Sequence, residues 1–238
     1  MNELERVNKI AENSPYSNGV NQFPMAYSGE IFKNYLDTNE NILEIGPAEG
    51  VMTEILYPHF KDYTVVDGAE VFVENLKKRY PNIHGYATLF ENFDSHGKKF
   101  HNIVIGHVLE HVENPVEILA RCKDLLPKSG GGRIVAAVPN SNSIHRQAAV
   151  LMGLLKSEKQ LNETDKINGH RRVYDMDTFQ ADFQKAGLRI IHSGGYWLKP
   201  LSNAQIERDW SREMIDAFLK LGEKYPDIAG EIYVVASN

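Results

Sequence analysis

The sequence predicts an α/β fold in which a doubly wound, mostly parallel sheet carries helices on both faces. Strand-like apolar runs alternate with helical patterns along most of the chain, an order that produces parallel strands joined by crossover helices. The strand-like runs are also apolar almost without interruption. That composition is typical of strands buried on both faces of a sheet.

The first 140 residues show this alternation most clearly. Helices are predicted at 51–60, 70–80 and 114–126, where Asn114 suits the cap of the third helix and Pro115 its first turn. The strand-like runs between them occupy residues 41–46, 62–68, 82–88, 101–108 and 133–139.

The pattern changes after Pro139. Residues 141–155 are predicted to be helical, the polar segment 157–175 to be a loop or lid, and 176–188 to be a helix that ends at Gly187. Two further strands flank a helical stretch at about 205–224, and they occupy 189–195 and 231–237. We interpret the chain as one domain, 1–238, made of an N-terminal helical cap (1–40), a cofactor-binding core (41–140), an acceptor-site lid (141–175) and C-terminal helices and strands (176–238).

Composition restricts the classes of partner. The 238 residues, 42% of them hydrophobic, suffice for one full core. A formal net charge of −6 argues against a nucleic-acid partner. The N-terminal residues lack the apolar run of a signal peptide, no run is long enough to span a bilayer, and the single cysteine, Cys122, fits a buried helix face. We therefore expect a cytoplasmic protein, a monomer or homodimer, that acts without a membrane.

The turn after the first strand indicates a cofactor that contains adenosine. Gly46 and Gly50 bracket this turn, and Asp67 ends the second strand, where an acid accepts hydrogen bonds from ribose hydroxyls. The spacing is G-x-x-x-G rather than the G-x-G-x-x-G of dinucleotide sites. Glu44 lies near the end of a buried strand, where a cationic ligand would relieve the cost of its charge and a pyrophosphate would be repelled. A local lysine or backbone amide is the alternative partner for Glu44, and a turn or helix-cap role is the alternative for Asp67.

The segments ILEIGPAEG, VVDGAE and IVIGHVLEHVENP resemble the class I S-adenosylmethionine (SAM)-dependent methyltransferases, in particular the broad group of ubiquinone-type, natural-product and sugar methyltransferases. The resemblance covers residues 40–140 well and 169–192 more loosely. It implies a seven-stranded sheet whose last strand is antiparallel, SAM as cofactor and S-adenosylhomocysteine (SAH) as product. Pro47-Ala48-Glu49 stands where many members carry further glycines.

Carried over to this sequence, the resemblance implies a role for eleven residues in cofactor binding. The methionine side would be held by Glu44, Gly46, Pro47, Ala48 and Gly50, and by the backbone of His107. The ribose would be held by Asp67, with Gly68 and Ala69 beside it, and the adenine would lie between Leu89 and Phe90.

Three histidines are candidate bases, because a hydroxyl or ammonium acceptor must lose a proton and imidazole titrates near neutrality. His170 and His145 are favoured over His111. Each also has a structural alternative: a salt bridge that anchors the lid for the His170 segment, an exposed helix start for His145, and a loop-ordering role for His111.

Candidate substrate-binding residues are Tyr27, Arg171, Arg172 and Tyr174, since guanidinium groups bind carboxylates and phosphates in a bidentate manner. Aromatic residues that could line the acceptor pocket, or else pack within the cap, are Tyr16, Phe23, Tyr27, Tyr174, Tyr196 and Trp197. We expect no required metal: Glu110 stands between His107 and His111, but no third ligand is evident elsewhere in the sequence.

These observations favour a methyltransferase that acts on an oxygen or nitrogen atom of a small molecule, such as a sugar, a sugar nucleotide or a biosynthetic intermediate. One alternative keeps the fold type with NAD as cofactor. Another is a non-catalytic SAM-binding protein. A third is a peptide or protein methyltransferase whose lid opens to admit a chain.

Overall fold

The computed structural model describes residues 3–11 and 18–238. Seven strands form one sheet, and they are β1 Ile42–Ile45, β2 Tyr63–Asp67, β3 Ile83–Ala87, β4 Asn102–Gly106, β5 Arg133–Pro139, β6 Arg189–Tyr196 and β7 Glu231–Ser237. Ten α-helices lie in the same residues, and they are α1 Glu3–Ala11, α2 Gln22–Lys33, α3 Val51–Leu56, α4 Glu70–Arg79, α5 Pro115–Leu125, α6 Ile144–Leu151, α7 Glu163–Ile167, α8 Met176–Lys185, α9 Asn203–Asp209 and α10 Arg212–Lys224.

The strand order is β3-β2-β1-β4-β5-β7-β6. β1 to β5 pair in parallel, and β7 runs antiparallel to both of its neighbours, β5 and β6. The predicted doubly wound sheet with an antiparallel last strand is confirmed. The order reverses between β1 and β4, which places a crevice at their carboxyl ends, where open α/β sheets bind ligands.

Helices cover both faces of the sheet, and each face has its own hydrophobic cluster. One cluster joins the sheet to α5 and α8, through side chains such as Leu119 and Phe183. The other joins it to α2, α3 and α10, through side chains such as Phe32 and Leu219. Cys122 is fully buried on α5, where burial raises the pKa of its thiol. The core thus fixes the strand ends from which the site is built.

The helices of the C-terminal half differ from the predicted ones in two places. The stretch predicted as one helix at about 205–224 is two helices, because Trp210 is extended and the side chain of Ser211 caps α10. The segment predicted as a loop at 157–175 contains α7, which begins with a capping box between Asn162 and Asp165. No helix in the described ranges is long and apolar enough to cross a bilayer.

Candidate functional site

The loop between β1 and α3 turns back on itself through three residues with positive φ. Gly46 (φ 67°), Ala48 (φ 47°) and Gly50 (φ 84°) all lie in the left-handed region. Glycine adopts this conformation without cost, whereas an alanine there is strained by roughly 1–2 kcal/mol. The Ala48 amide donates to Asp67 Oδ2 at 3.2 Å, which holds the loop against the end of β2.

Asp67 is the buried acid at the end of β2. Its second oxygen, Oδ1, accepts a hydrogen bond from the Ala69 amide at 2.8 Å. Burial raises the pKa of Asp67 to about 6, although the two backbone hydrogen bonds act to lower it. Its carboxylate borders a cavity at the carboxyl ends of β1, β2 and β4, which we call the cofactor cavity. Six of the residues predicted from sequence to bind the cofactor line this cavity, and they are Gly46, Ala48, Asp67, Gly68, Leu89 and Phe90.

A smaller recess continues this cavity on the far side of the loop. Glu44, Pro47 and Met52 line the recess, and His107 lies between it and the cofactor cavity. Glu44 Oε2 accepts hydrogen bonds from the hydroxyls of Thr53 (2.7 Å) and Tyr63 (2.8 Å). The local partners of this carboxylate are therefore two hydroxyls, not the lysine or backbone amide that the sequence suggested as the alternative. Burial nevertheless raises the pKa of Glu44 to about 7.

The residues present fit SAM. Two buried carboxylates with raised pKa values border the connected hollows, and both would be stabilised as anions by a ligand that carries positive charge. Asp67 is placed to accept ribose hydroxyls, and Leu89 and Phe90 offer apolar walls for a base. Gly50 and Ala69 support the loop and Asp67 rather than line the cavity.

Helix α1 covers the cofactor cavity. Its Val7, Ile10 and Ala11 line the cavity, and no residue of the helix is fully buried. Arg6 donates to the carbonyl of Gly169, and Glu3 forms an ion pair with Arg171 at 2.7 Å. The N-terminal cap is therefore tied to the segment between α7 and α8.

A second cavity, with several polar side chains in its walls, lies beside His107, and we call it the acceptor cavity. Glu110 and the carboxyl end of β5 contribute to its walls, together with the start of β7 and the segments around α6 and α7. Its polar side chains include Asn140, His145, Asp165, His170, Lys199 and Glu231. Because His107 borders this cavity, the cofactor cavity and the recess, the three hollows meet at the end of β4.

Two buried carboxylates surround His107. Its Nδ1 lies 3.5 Å from Glu110 Oε1 and 3.8 Å from Glu231 Oε2, and its Nε2 is 3.2 Å from the hydroxyl of Tyr196. Burial lowers the pKa of His107, but contact with Glu110 and the charge of Glu231 outweigh it and the net direction is upward. His107 also has a positive φ of 55°, a strained conformation held by its neighbours.

His170 lies beside the buried carboxylate of Asp165. Its Nδ1 is 3.2 Å from Asp165 Oδ1, and Arg146 contacts Asp165 Oδ2 at 3.1 Å. Burial raises the pKa of Asp165, but the contacts with His170, Asn162 and Arg146 outweigh burial and bring it to about 2. Asp165 is therefore a stable anion that orients His170 within the acceptor cavity.

His145 lies across the same cavity. Its Nδ1 is buried and has no hydrogen-bond partner among the described residues. Burial, followed by the charges of Lys199 and Arg146, lowers the pKa of His145 to about 3. The ring is neutral at physiological pH, and its Nδ1 is available to a ligand.

His111, the third candidate base, lies on the wall of the cofactor cavity. Its ring meets the ring of His170 edge to face, with centroids 4.8 Å apart, and its Nε2 is 3.9 Å from Glu110 Oε1. Burial lowers the pKa of His111 to about 4, against the charge of Glu110. The fold thus brings His111 and His170 together from positions 59 residues apart in sequence.

The two arginines predicted to bind substrate do not line the acceptor cavity. Arg172 donates to the carbonyls of Leu109, Val112 and Glu113 at 2.6–2.9 Å. Arg171 donates to the carbonyl of His111 at 2.9 Å and pairs with Glu3. In this structure their guanidinium groups anchor the lid to the loop after β4, as the anchoring alternative expects, and contact of either arginine with substrate stays a prediction.

The tyrosines predicted to bind substrate also lie elsewhere. Tyr174 is 3% exposed, packs on Phe179 and donates to Asp182, so it belongs to the core. Tyr27 donates to Glu223 and packs beside Tyr196. In both cases the ring packs on another aromatic ring and the hydroxyl donates to a carboxylate, so both halves of the tyrosine are satisfied without a ligand, and a substrate contact stays a prediction.

Phe23 stacks against Arg212 near α10, and Tyr196 and Trp197 pack in the second hydrophobic cluster, as the cap-packing alternative predicts. Tyr16 lies outside the described residues.

Sequence reasoning missed four charged residues of the acceptor cavity: Arg146, Asp165, Lys199 and Glu231. They come from α6, α7, the segment after β6 and the start of β7. One signal was present. An antiparallel strand begins at the edge where parallel strands end, so the first residue of β7, Glu231, had to lie at the carboxyl edge of the sheet.

Comparison with known proteins gives the family context. A family described as "Methyltransferase domain" matches residues 22–193. Among curated relatives, the ubiquinone biosynthesis O-methyltransferase of Dinoroseobacter shibae is 26% identical over 75% of this chain and 73% of its own length. The enzyme of the same name from Coxiella burnetii is 24% identical over 74% of this chain and 73% of its own length.

Solved structures with the same fold include methyltransferases in complex with SAH. The N-methyltransferase NodS from Bradyrhizobium japonicum matches with a TM-score of 0.60 and 18% identity, over 99% of this chain and 96% of that one. The plantazolicin methyltransferase BpumL, with a desmethylPZN analogue and SAH, matches with a TM-score of 0.63 and 20% identity, over 97% of this chain and 90% of that one.

Proposed function

We propose that this chain, which belongs to the methyltransferase domain family and is a SAM-dependent methyltransferase, methylates a hydroxyl oxygen of a small polar molecule. The observation that carries the proposal is the acceptor cavity, whose walls carry several charged and hydrogen-bonding side chains and which shares His107 with the cofactor cavity. Its relatives of 24–26% identity are O-methyltransferases of ubiquinone biosynthesis, which supports oxygen as the acceptor atom.

SAM supplies a methyl group that is already activated by its sulfonium. The protein must therefore align the acceptor, exclude water and promote loss of the acceptor proton. Asp67 and the Gly46–Gly50 loop hold the cofactor side. His170, oriented by Asp165, promotes removal of the proton from the hydroxyl.

The walls of the acceptor cavity favour a sugar-like or otherwise oxygen-rich molecule. His145 Nδ1 accepts a hydrogen bond from a hydroxyl, and Asn140 offers an amide. Lys199 provides a cation whose pKa is lowered by burial, although Glu231 and Asp165 act against that shift. A cation beside hydrogen-bond acceptors suits a hydroxylated acceptor that also carries an anionic group.

The lid argues for a small acceptor rather than a peptide chain. Arg146 on α6 donates to the carbonyls of Glu158 and Gln160 and to Asp165, so it ties the lid segment 157–175 to α6. Arg172 ties the same segment to the loop after β4. Opening the lid for a chain would break these charge-assisted bonds at about 1.5–3 kcal/mol each.

The test is a reaction with SAM that carries a ¹³C-labelled methyl group and a panel of sugars, sugar nucleotides, hydroxy acids and amines. We expect product with a hydroxylated acceptor, and the ¹³C shift of the methyl group distinguishes an O-methyl from an N-methyl product. His170→Gln should lower kcat at least 100-fold and leave SAH affinity within threefold. An N-methyl product, or normal SAH binding with no product across the panel, would contradict the proposal.

A further inference from the structure

We infer that Glu110, His111 and His170 bind a divalent transition-metal ion, and that the ligand set selects Zn²⁺. One ligand atom from each residue lies within 4.8 Å of the others. Glu110 and His111 follow β4, whereas His170 comes from the segment after α7. The expectation of no metal rested on the lack of a third ligand in the sequence, and the fold supplies one in His170.

The environment of Glu110 calls for a cation. The side chain is completely buried, and neither carboxylate oxygen has a hydrogen-bond partner among the described residues. The nearest imidazole nitrogens are His107 Nδ1 at 3.5 Å and His111 Nε2 at 3.9 Å. A buried carboxylate is costly unless it is paired or coordinates a metal.

Both histidines are oriented in the manner of metal ligands, which use one ring nitrogen for the metal and engage the other with a carboxylate or carbonyl group. His170 has its Nδ1 3.2 Å from Asp165, which leaves Nε2 for a metal. The ring of His111 makes a hydrogen bond with the backbone of Gly169. Asp165 and Gly169 therefore act as supports that fix the two ring planes.

The ligand types and their spacing match a zinc site with an open position. Two histidines and one glutamate are a ligand set of catalytic zinc sites. Ligand atoms at tetrahedral zinc are about 3.4 Å apart, given bond lengths of about 2.1 Å. Closing from 4.8 Å to that spacing needs shifts of the order of 1 Å, within the range of side-chain rotation.

The location of this set gives the metal a role, which rests on the proposed function. His111 borders the cofactor cavity, and Glu110 and His170 border the acceptor cavity. The open position would bind the acceptor hydroxyl and lower its pKa, as zinc does for bound water. The proton leaves to solvent, the oxygen forms a bond to the methyl carbon, and the carbon–sulfur bond breaks to leave SAH. His170 then acts as a metal ligand rather than as the proton acceptor itself.

The experiment is a calorimetric titration of chelator-treated, dialysed full-length protein with Zn²⁺. We expect one Zn²⁺ per chain, and an affinity at least 100-fold weaker for Glu110→Gln and for His170→Asn. Matched controls are His145→Asn, in the same cavity but outside the set, and His101→Asn on the surface; both should keep wild-type affinity. Because a variant could simply fail to fold, Co²⁺ replaces Zn²⁺ in the wild-type protein, where visible d–d bands should report nitrogen and oxygen ligation.

The inference is overturned if wild-type protein binds no Zn²⁺, or if the two ligand variants bind it as well as the controls do. The first result would leave a protonated His107 as the partner of Glu110. Failure of the metal site is distinct from failure of the proposed function. Chelated protein that still makes O-methyl product in a His170-dependent reaction refutes the metal alone, whereas Zn²⁺ binding without any O-methyl product refutes the function alone.

Discussion

At the residue scale, Asp67 connects the loop conformation to cofactor recognition. Its two oxygens accept hydrogen bonds from the amides of Ala48 and Ala69, and its carboxylate borders the cofactor cavity. One side chain therefore holds the strained loop and borders the cavity, and we expect the same carboxylate to accept the ribose hydroxyls. We therefore expect substitutions of Asp67 to affect both the loop conformation and cofactor binding.

Asp67→Asn should weaken SAH binding at least tenfold, because an amide presents only one acceptor oxygen and cannot serve both amides and a ribose. Calorimetric titration with SAH measures the effect. Glu74→Gln, an exposed change on α4, is the matched control and should bind SAH as the wild type does. Unchanged affinity in Asp67→Asn would refute the role assigned to this carboxylate.

At the element scale, Arg172 is the arginine that makes the most hydrogen bonds between the lid and the loop after β4. Arg172 makes three hydrogen bonds to the carbonyls of residues 109–113, the loop that contains Glu110 and His111. Arg172→Ala should lower the free energy of unfolding by about 2–4 kcal/mol, since each charge-assisted bond contributes about 1.5–3 kcal/mol and the site is partly exposed. Urea denaturation measures this loss. Arg208→Ala removes a fully exposed ion pair with Asp209 and should leave the free energy of unfolding unchanged within the error of the measurement.

Helix α1 acts as a separate element over the cofactor cavity. Ile10→Asp should increase the rate of SAH dissociation at least tenfold, because it places a charge on the apolar face that closes the cavity. The melting temperature without ligand should change little, since no α1 residue is fully buried. Stopped-flow displacement measures the rate, with Lys9→Asp on the exposed face as control. Equal rates in the two variants would mean that α1 does not retain the cofactor.

The elements also show how far sequence can predict a site. The cofactor loop and Asp67 were predictable because glycine, acid and strand ends follow one another within a single β-α-β unit. The acceptor cavity was not, because Lys199 and Glu231 join Arg146 and Asp165 only through the insertion of β7 between β5 and β6. The carbonyl partners of Arg171 and Arg172 were not predictable either, because a charge pattern does not reveal which backbone carbonyls lie within reach.

At the scale of the whole molecule, the cofactor site lowers the stability of the ligand-free protein. Burial raises the pKa of Glu44 from 4.5 to about 7, so the folded protein binds this proton more tightly than the unfolded chain does. The stability due to that protonation is fully present below pH 4.5 and is lost as pH rises through about 7. A shift of this size corresponds to a change on the order of 3 kcal/mol.

Glu44→Gln should therefore become progressively more stable than the wild type between pH 5 and pH 8 in the absence of ligand. Because other groups titrate in both proteins, the informative quantity is the difference between their free energies of unfolding at each pH, from urea denaturation. Glu30→Gln, an exposed substitution on α2, should give a flat difference. If the difference between Glu44→Gln and the wild type also does not change with pH, ionisation of Glu44 does not lower the stability of the folded protein. At pH 8, SAM should stabilise the wild type more than Glu44→Gln. The ionised Glu44 lowers the stability of the empty protein, and we expect the positive charge of the bound cofactor to offset this loss.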